Sequence, residues 1–167
     1  MDIEDLKWIL GNATESVRNI DAKNSILTAI IAAVAAILFS GDTFLNAAAD
    51  PACTGWVHCA KTMCLVLIAL ASIVSTVALI ASLVPRSNCQ KPSLVYSGSI
   101  GEFETAEKYA SAVGDEKIDL RDDLICQIHI TSTIYRKKTF WNKVATISVA
   151  CLVAVLVTFA CICVIGA

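Results

Sequence analysis

Ten polar side chains between residues 86 and 137 are the set in this chain best suited to holding a small anion. They are Arg86, Lys91, Tyr96, Ser97, Tyr109, Arg121, Gln127, His129, Arg136 and Lys137. A guanidinium can grip two phosphate oxygens at once, hydroxyl and amide groups fix orientation, and a tyrosine ring can stack on a flat base. The plainer alternative is that the cations are ordinary membrane-flanking residues, and residue types alone favour it. Asp21 and Lys23 form a second polar group beside an apolar run. An interfacial charge pair is the simpler reading there, and a ligand contact at the membrane edge is the sharper one.

Other chemistry is not encoded in a recognisable form. There is no Gly-rich phosphate loop, no paired metal-ligand motif and no Ser/His/Asp arrangement, so the expectation is a non-enzyme with no metal and no cofactor. Cys53 and Cys59 lie in a short segment with His58. A disulfide between the two cysteines is one reading; a metal site is the poorer one, because a fourth ligand is missing. Cys64, Cys151, Cys161 and Cys163 fall in apolar runs, where cysteine acts as a small apolar residue. Cys89 and Cys126 fall in segments read as cytosolic and reduced.

The elements that must position these groups follow from charge segregation. The chain has 167 residues and a mean hydropathy of +0.68, with 56% apolar and 17% charged residues. Residues 144–165 and 63–84 carry no charge, and each run of about 22 residues reaches about 33 Å as a helix, enough for a hydrocarbon core of about 30 Å. Residues 26–45 give a third, more dilute span. Ala47-Ala48-Ala49 after it resembles a signal-peptidase site, but the acidic leader with Asp2, Glu4, Asp5, Glu15 and Asp21 argues for a retained span. Lys and Arg number three before the first span, one between the first and second, nine between the second and third, and none after. That asymmetry places the N-terminus and residues 85–143 inside, and residues 46–62 and the C-terminus outside. No basic patch stands apart from a membrane flank, so no nucleic-acid polymer is expected as a partner. No charge falls mid-span, which argues against a proton-coupled carrier.

Finer patterning fills in this plan. Ile3, Leu6, Leu10, Ala13, Val17, Ile20, Asn24, Leu27, Ile31 and Val34 alternate steps of three and four, a heptad seam from the N-terminal segment 1–25 into the first span. It serves packing on later helices of the same chain, self-association, or both. Ala69, Ser72, Ser75, Ala78 and Ser82 give the second span small residues for close helix approach. Ser99 and Glu102 have capping-box spacing for a helix through Tyr109 that Gly114 ends. Asp119 caps a last helix whose apolar face is read as Leu120, Leu124, Ile125, Ile128, Thr131 and Tyr135. No Pro or Gly interrupts residues 119–165, so that helix runs unbroken into the third span. The expected fold is an all-α membrane protein: three transmembrane helices with a small cytosolic helical hairpin (85–143), its last helix continuous with the third span.

The order of short motifs carries a resemblance. Asp21-x-Lys23 precedes the first span and Pro85-Arg86 closes the second. A Tyr96-Ser97-Gly98 turn leads to a helix with Tyr109. Gln127, Ile128, Ser132 and Ile134 are followed by Lys137-Lys138 and the final span. Across nearly the whole chain this pattern resembles the membrane effectors of Pycsar, the bacterial pyrimidine cyclase system for antiphage resistance. It departs at Ser97 and Thr139, where the family pattern has aromatic residues. The resemblance implies a multi-pass protein of the bacterial inner membrane that binds cyclic CMP or cyclic UMP made by a partner pyrimidine nucleotide cyclase. It further implies a homo-oligomer that impairs the bilayer and causes abortive infection. The ligand-binding set it points to is Arg86, Tyr96, Ser97, Tyr109, Gln127, His129, Arg136 and Lys137, with Asp21 and Lys23. A constitutive oligomeric scaffold, or a small channel without a nucleotide ligand, is the competing expectation.

Overall fold

The computed structural model describes residues 2–39, 55–84, 93–95, 97–114 and 120–165. Every regular element among them is a helix: α1 (Ile3–Phe39), α2 (Trp56–Leu83), α3 (Ser97–Ile100), α4 (Ala106–Val113) and α5 (Leu120–Ile165). The chain is an all-helical membrane protein, because α1, α2 and α5 are each long and apolar enough to cross a bilayer. With 37 and 46 residues, α1 and α5 exceed what a span needs. At 1.5 Å per residue they reach about 55 and 69 Å, so each carries an extension beyond its span. α5 is unbroken from Leu120 to Ile165, as the lack of helix breakers predicts. α2 starts at Trp56, ahead of the apolar run at 63, because helix hydrogen bonding continues through Lys61 where hydropathy stops.

The described chain forms two compact units. An apolar unit comprises Asp21–Leu83 and Thr139–Ala167; a polar unit comprises Met1–Ile20 and Val84–Lys138. The helices α1 and α5 contribute to both.

In the apolar unit, all three long helices bury residues at alternating steps of three and four. On α1 these are Asn24, Leu27, Ile31 and Val34, on α2 Cys64, Ile68, Ala71, Ser75, Ala78 and Ser82, and on α5 Ala145, Ser148, Leu152, Val155 and Phe159, each buried or half-buried. A shared seam of this period lets the helices interlock as in a coiled coil. Val34, Cys64, Ile68, Leu152 and Phe159 form one cluster; Ala78, Leu79 and Ala145 form another, with Leu27, Ile31, Trp141 and Val144 against it. Ala78 and Ala145 are almost fully buried, so the α2 and α5 backbones approach closely there. The small-residue face of α2 runs through Ala71, Ser75, Ala78 and Ser82; Ala69 is exposed and Ser72 only half-buried. Ser148 Oγ donates to the Ala71 carbonyl across the helices (3.1 Å). Ile26, Ile37, Leu70, Ile73, Val77, Ile147 and Val157 point outward. That arrangement suits lipid, which takes the place of water around the spans.

Among the described residues of the polar unit, Leu6, Ile20, Leu94 and Leu124 are the buried apolar side chains. The α1 seam holds here too: Leu6 and Ile20 are buried and Leu10, Ala13 and Val17 half-buried, while Ile3 at the helix end is exposed. Two local expectations are corrected. The cap of α4 is Thr105, whose extended backbone (φ −141°, ψ 154°) lets its Oγ1 accept from the Lys108 N–H. Ser99 lies inside the one-turn helix α3, so it lacks the extended backbone a cap requires. Gly114 closes α4 as expected, its N–H donating to the Ala110 carbonyl (3.1 Å). On α5 the covered face is Leu124, Gln127, Ile128, Thr131 and Ile134, whereas Leu120, Ile125 and Tyr135 are exposed. The buried stripe is rotated from the apolar one because Gln127 is drawn inward. Asp119 lies outside the described residues.

Candidate functional site

The densest polar geometry of the polar unit surrounds Asp123, in the first turn of α5. Its Oδ2 accepts from Ser93 Oγ (3.0 Å), the Leu94 N–H (2.9 Å) and the Val95 N–H (3.2 Å). Ser93 Oγ accepts in turn from the Val95 N–H (3.2 Å). The Leu94 carbonyl then accepts from the Tyr109 hydroxyl (2.9 Å). The Tyr109 ring meets Phe103 edge to face, with centroids 5.4 Å apart. Residues 93–95 are thus tied to α4 on one side and to α5 on the other. Hydrogen bonds to an ionised carboxylate are stronger than neutral ones, so Asp123 is the anchor of this junction. Neither Asp123 nor Ser93 stands out in the sequence; a Ser directly after Pro92, followed by an apolar pair, gives no distinctive signal.

The described members of the sequence-derived set belong to several elements. Tyr109 belongs to the Asp123 junction, with its hydroxyl already engaged. Gln127 is buried on the inner face of α5. His129, Arg136 and Lys137 are exposed on other faces of the same helix. Ser97 begins α3. Asp21, half-buried, and Lys23, exposed, belong to the apolar unit's part of α1. Arg86 and Tyr96 lie outside the described residues. So does Cys53, and with it the suggested pairing to Cys59, which is exposed near the start of α2.

A second polar junction joins the three long helices within the apolar unit. Asn24 Nδ2 on α1 donates to Ser82 Oγ on α2 (2.7 Å), and Asn142 Nδ2 on α5 donates to Asn24 Oδ1 (2.7 Å). Asn24 and Ser82 are almost fully buried. Asn24 occupies a seam position, where one buried Asn sets helix register at a cost in stability. The sequence signal was there: a polar residue at an apolar step of the heptad.

The same unit has an open groove of about 460 Å³ between α2 and α5, lined by Leu67, Leu70, Val74, Ile147, Cys151 and Val155 among others. Ser148, its lining hydroxyl, is engaged by the Ala71 carbonyl. Nothing in that lining recognises a phosphate or a base, so the groove is suited to apolar groups alone.

Residues 5–166 match the family model described as Pycsar effector protein domain. The chain belongs to the Pycsar effector family. No curated protein and no solved structure matches it. This Pycsar effector is accordingly an antiphage-defence effector anchored by three apolar helices, and not the cyclase of that system.

Proposed function

We propose that this Pycsar effector senses a cyclic pyrimidine nucleotide, cyclic CMP or cyclic UMP, with its polar unit on the cytosolic side of the bacterial inner membrane. Binding rearranges a homo-oligomer, the bilayer is impaired, and the infected cell is lost before the phage matures. A pyrimidine nucleotide cyclase supplies the ligand. The observation that carries this reading is the family match over residues 5–166 of a chain built on three apolar helices.

The geometry supports a division of labour. The exposed Arg136, His129 and Lys137 offer charge and hydrogen bonds to a cyclic phosphate, and the Tyr109 ring offers a face for a base. Arg86, Tyr96, Ser97 and Gln127 are the remaining candidates around them, with Asp21 and Lys23 as contacts at the membrane edge. Because α1 and α5 each take part in both units, a ligand that favours one arrangement of the polar unit acts on helices that also cross the membrane. The ligand biases the equilibrium only by the difference in its affinity for the two states.

Calorimetry of the purified full chain with each cyclic nucleotide tests the sensing step. One pyrimidine nucleotide should bind at about one per protomer, cyclic AMP should not, and Arg136→Ala should weaken binding by about tenfold or more. No heat of binding with either pyrimidine would favour a constitutive scaffold.

A further inference from the structure

We infer that the outer face of α1 is the docking surface for the outer face of α5 in a second copy of this chain. The inference rests on the homo-oligomer of the proposed function, though not on its nucleotide. It starts from an imbalance in the polar unit. Seven of its described large apolar side chains are exposed, Trp8 at 69% and Ile125 at 45% among them, against four that are buried. Exposed apolar side chains carry meaning where they share a face with complementary polar groups.

Two of them, Trp8 and Ile125, lie on stripes with the same spacing. On α1, Glu4, Trp8, Gly11 and Glu15 follow steps of four, three and four, all exposed and opposite the buried seam of Leu6 and Ile20. On α5, Ile125, His129, Ser132 and Arg136 follow the same steps, all exposed and away from buried Leu124 and Gln127. Residues so spaced share one helix face. One stripe is acidic and aromatic; the other is basic and apolar. Both helices lead from the polar unit into the apolar one, so copies in one bilayer present them in parallel. That alignment sets Trp8 against His129, Gly11 against Ser132 and Glu15 against Arg136. Neither Glu15 nor Arg136 forms an ion pair among the described residues, so each has its charge available to a neighbour.

Gly11 is an independent indication. Glycine weakens a helix interior, and among the described residues nothing lies within 4 Å of the place its Cβ would occupy. No packing among the described residues explains it. A close approach by another helix does, since small residues let two backbones come together. The contact is heterologous, one face meeting a different one, so repetition yields a ring when the rotation closes. Arg136 is also a candidate phosphate ligand, so a nucleotide that takes its guanidinium competes with Glu15 and loosens the resting ring.

The test is the mass of the ligand-free full chain in nanodiscs and in mild detergent. Gly11→Leu should raise the concentration needed for assembly by about tenfold or more while the helix melts no lower, because leucine is the better helix former. Glu15→Arg and Arg136→Glu should each weaken assembly about tenfold, and the double charge swap should restore most of it. A chain that is monomeric throughout overturns the inference and the resting oligomer with it. A chain that assembles but ignores Gly11→Leu, or whose double swap is no better than the singles, overturns this surface alone.

Discussion

Asp123 and Tyr109 show how single groups decide what the polar unit can do. Three donors meet one carboxylate oxygen of Asp123. Asp123→Ala leaves two backbone N–H groups and a serine hydroxyl without that partner, and should lower stability by about 2–3 kcal/mol in thermal unfolding. A loss under about 0.5 kcal/mol would mean that the bend at 93–95 is held by other contacts. Tyr109 allows structure to be tested apart from the proposed sensing. Its hydroxyl serves the Leu94 carbonyl, so Tyr109→Phe should cost about 1 kcal/mol of stability yet leave nucleotide affinity within about twofold. If Tyr109→Phe abolished binding instead, the hydroxyl and not the ring would be the ligand contact.

The helices were largely legible at their own scale, and the exceptions have physical causes. The α1 seam could be read because burial at steps of three and four leaves its mark on residue type; of its positions only the terminal Ile3 is exposed. The start of α4 could not, since Ser99-x-x-Glu102 has the right spacing while the cap depends on backbone angles that Thr105 alone of the two adopts. Thr105→Ala should cost about 1 kcal/mol and speed amide exchange in α4 without touching α5. The covered face of α5 departs from its apolar pattern because Gln127 is buried and Ile125 is not. The Asn24–Ser82–Asn142 junction gives the clearest prediction for the spans. Asn24→Leu strands two polar side chains in an apolar setting, and a double-mutant cycle with Asn142→Leu should give a coupling of about 1 kcal/mol. Additive effects would show that the two asparagines do not depend on each other.

For the whole molecule, three helices long and apolar enough to cross a bilayer were legible, two from uncharged runs of about 22 residues and the first from a more dilute apolar run. The ligand residues were less legible. Cations beside a membrane look the same whether they anchor or bind, and the described candidates Lys23 on α1 and Arg136 and Lys137 on α5 are all exposed. The proposed sidedness rests on the Lys and Arg asymmetry, nine of them lying between the second and third spans. A membrane-impermeant thiol probe applied to intact cells should therefore label a cysteine introduced after Ile165 and spare one introduced in α4; labelling in α4 would invert the topology. The central claim is that a nucleotide turns this protein against its membrane. Dye release from liposomes holding the purified full chain tests it most directly. Cyclic CMP or cyclic UMP should trigger release that neither cyclic AMP nor empty liposomes show; release without any nucleotide, or none with either pyrimidine, would contradict the account.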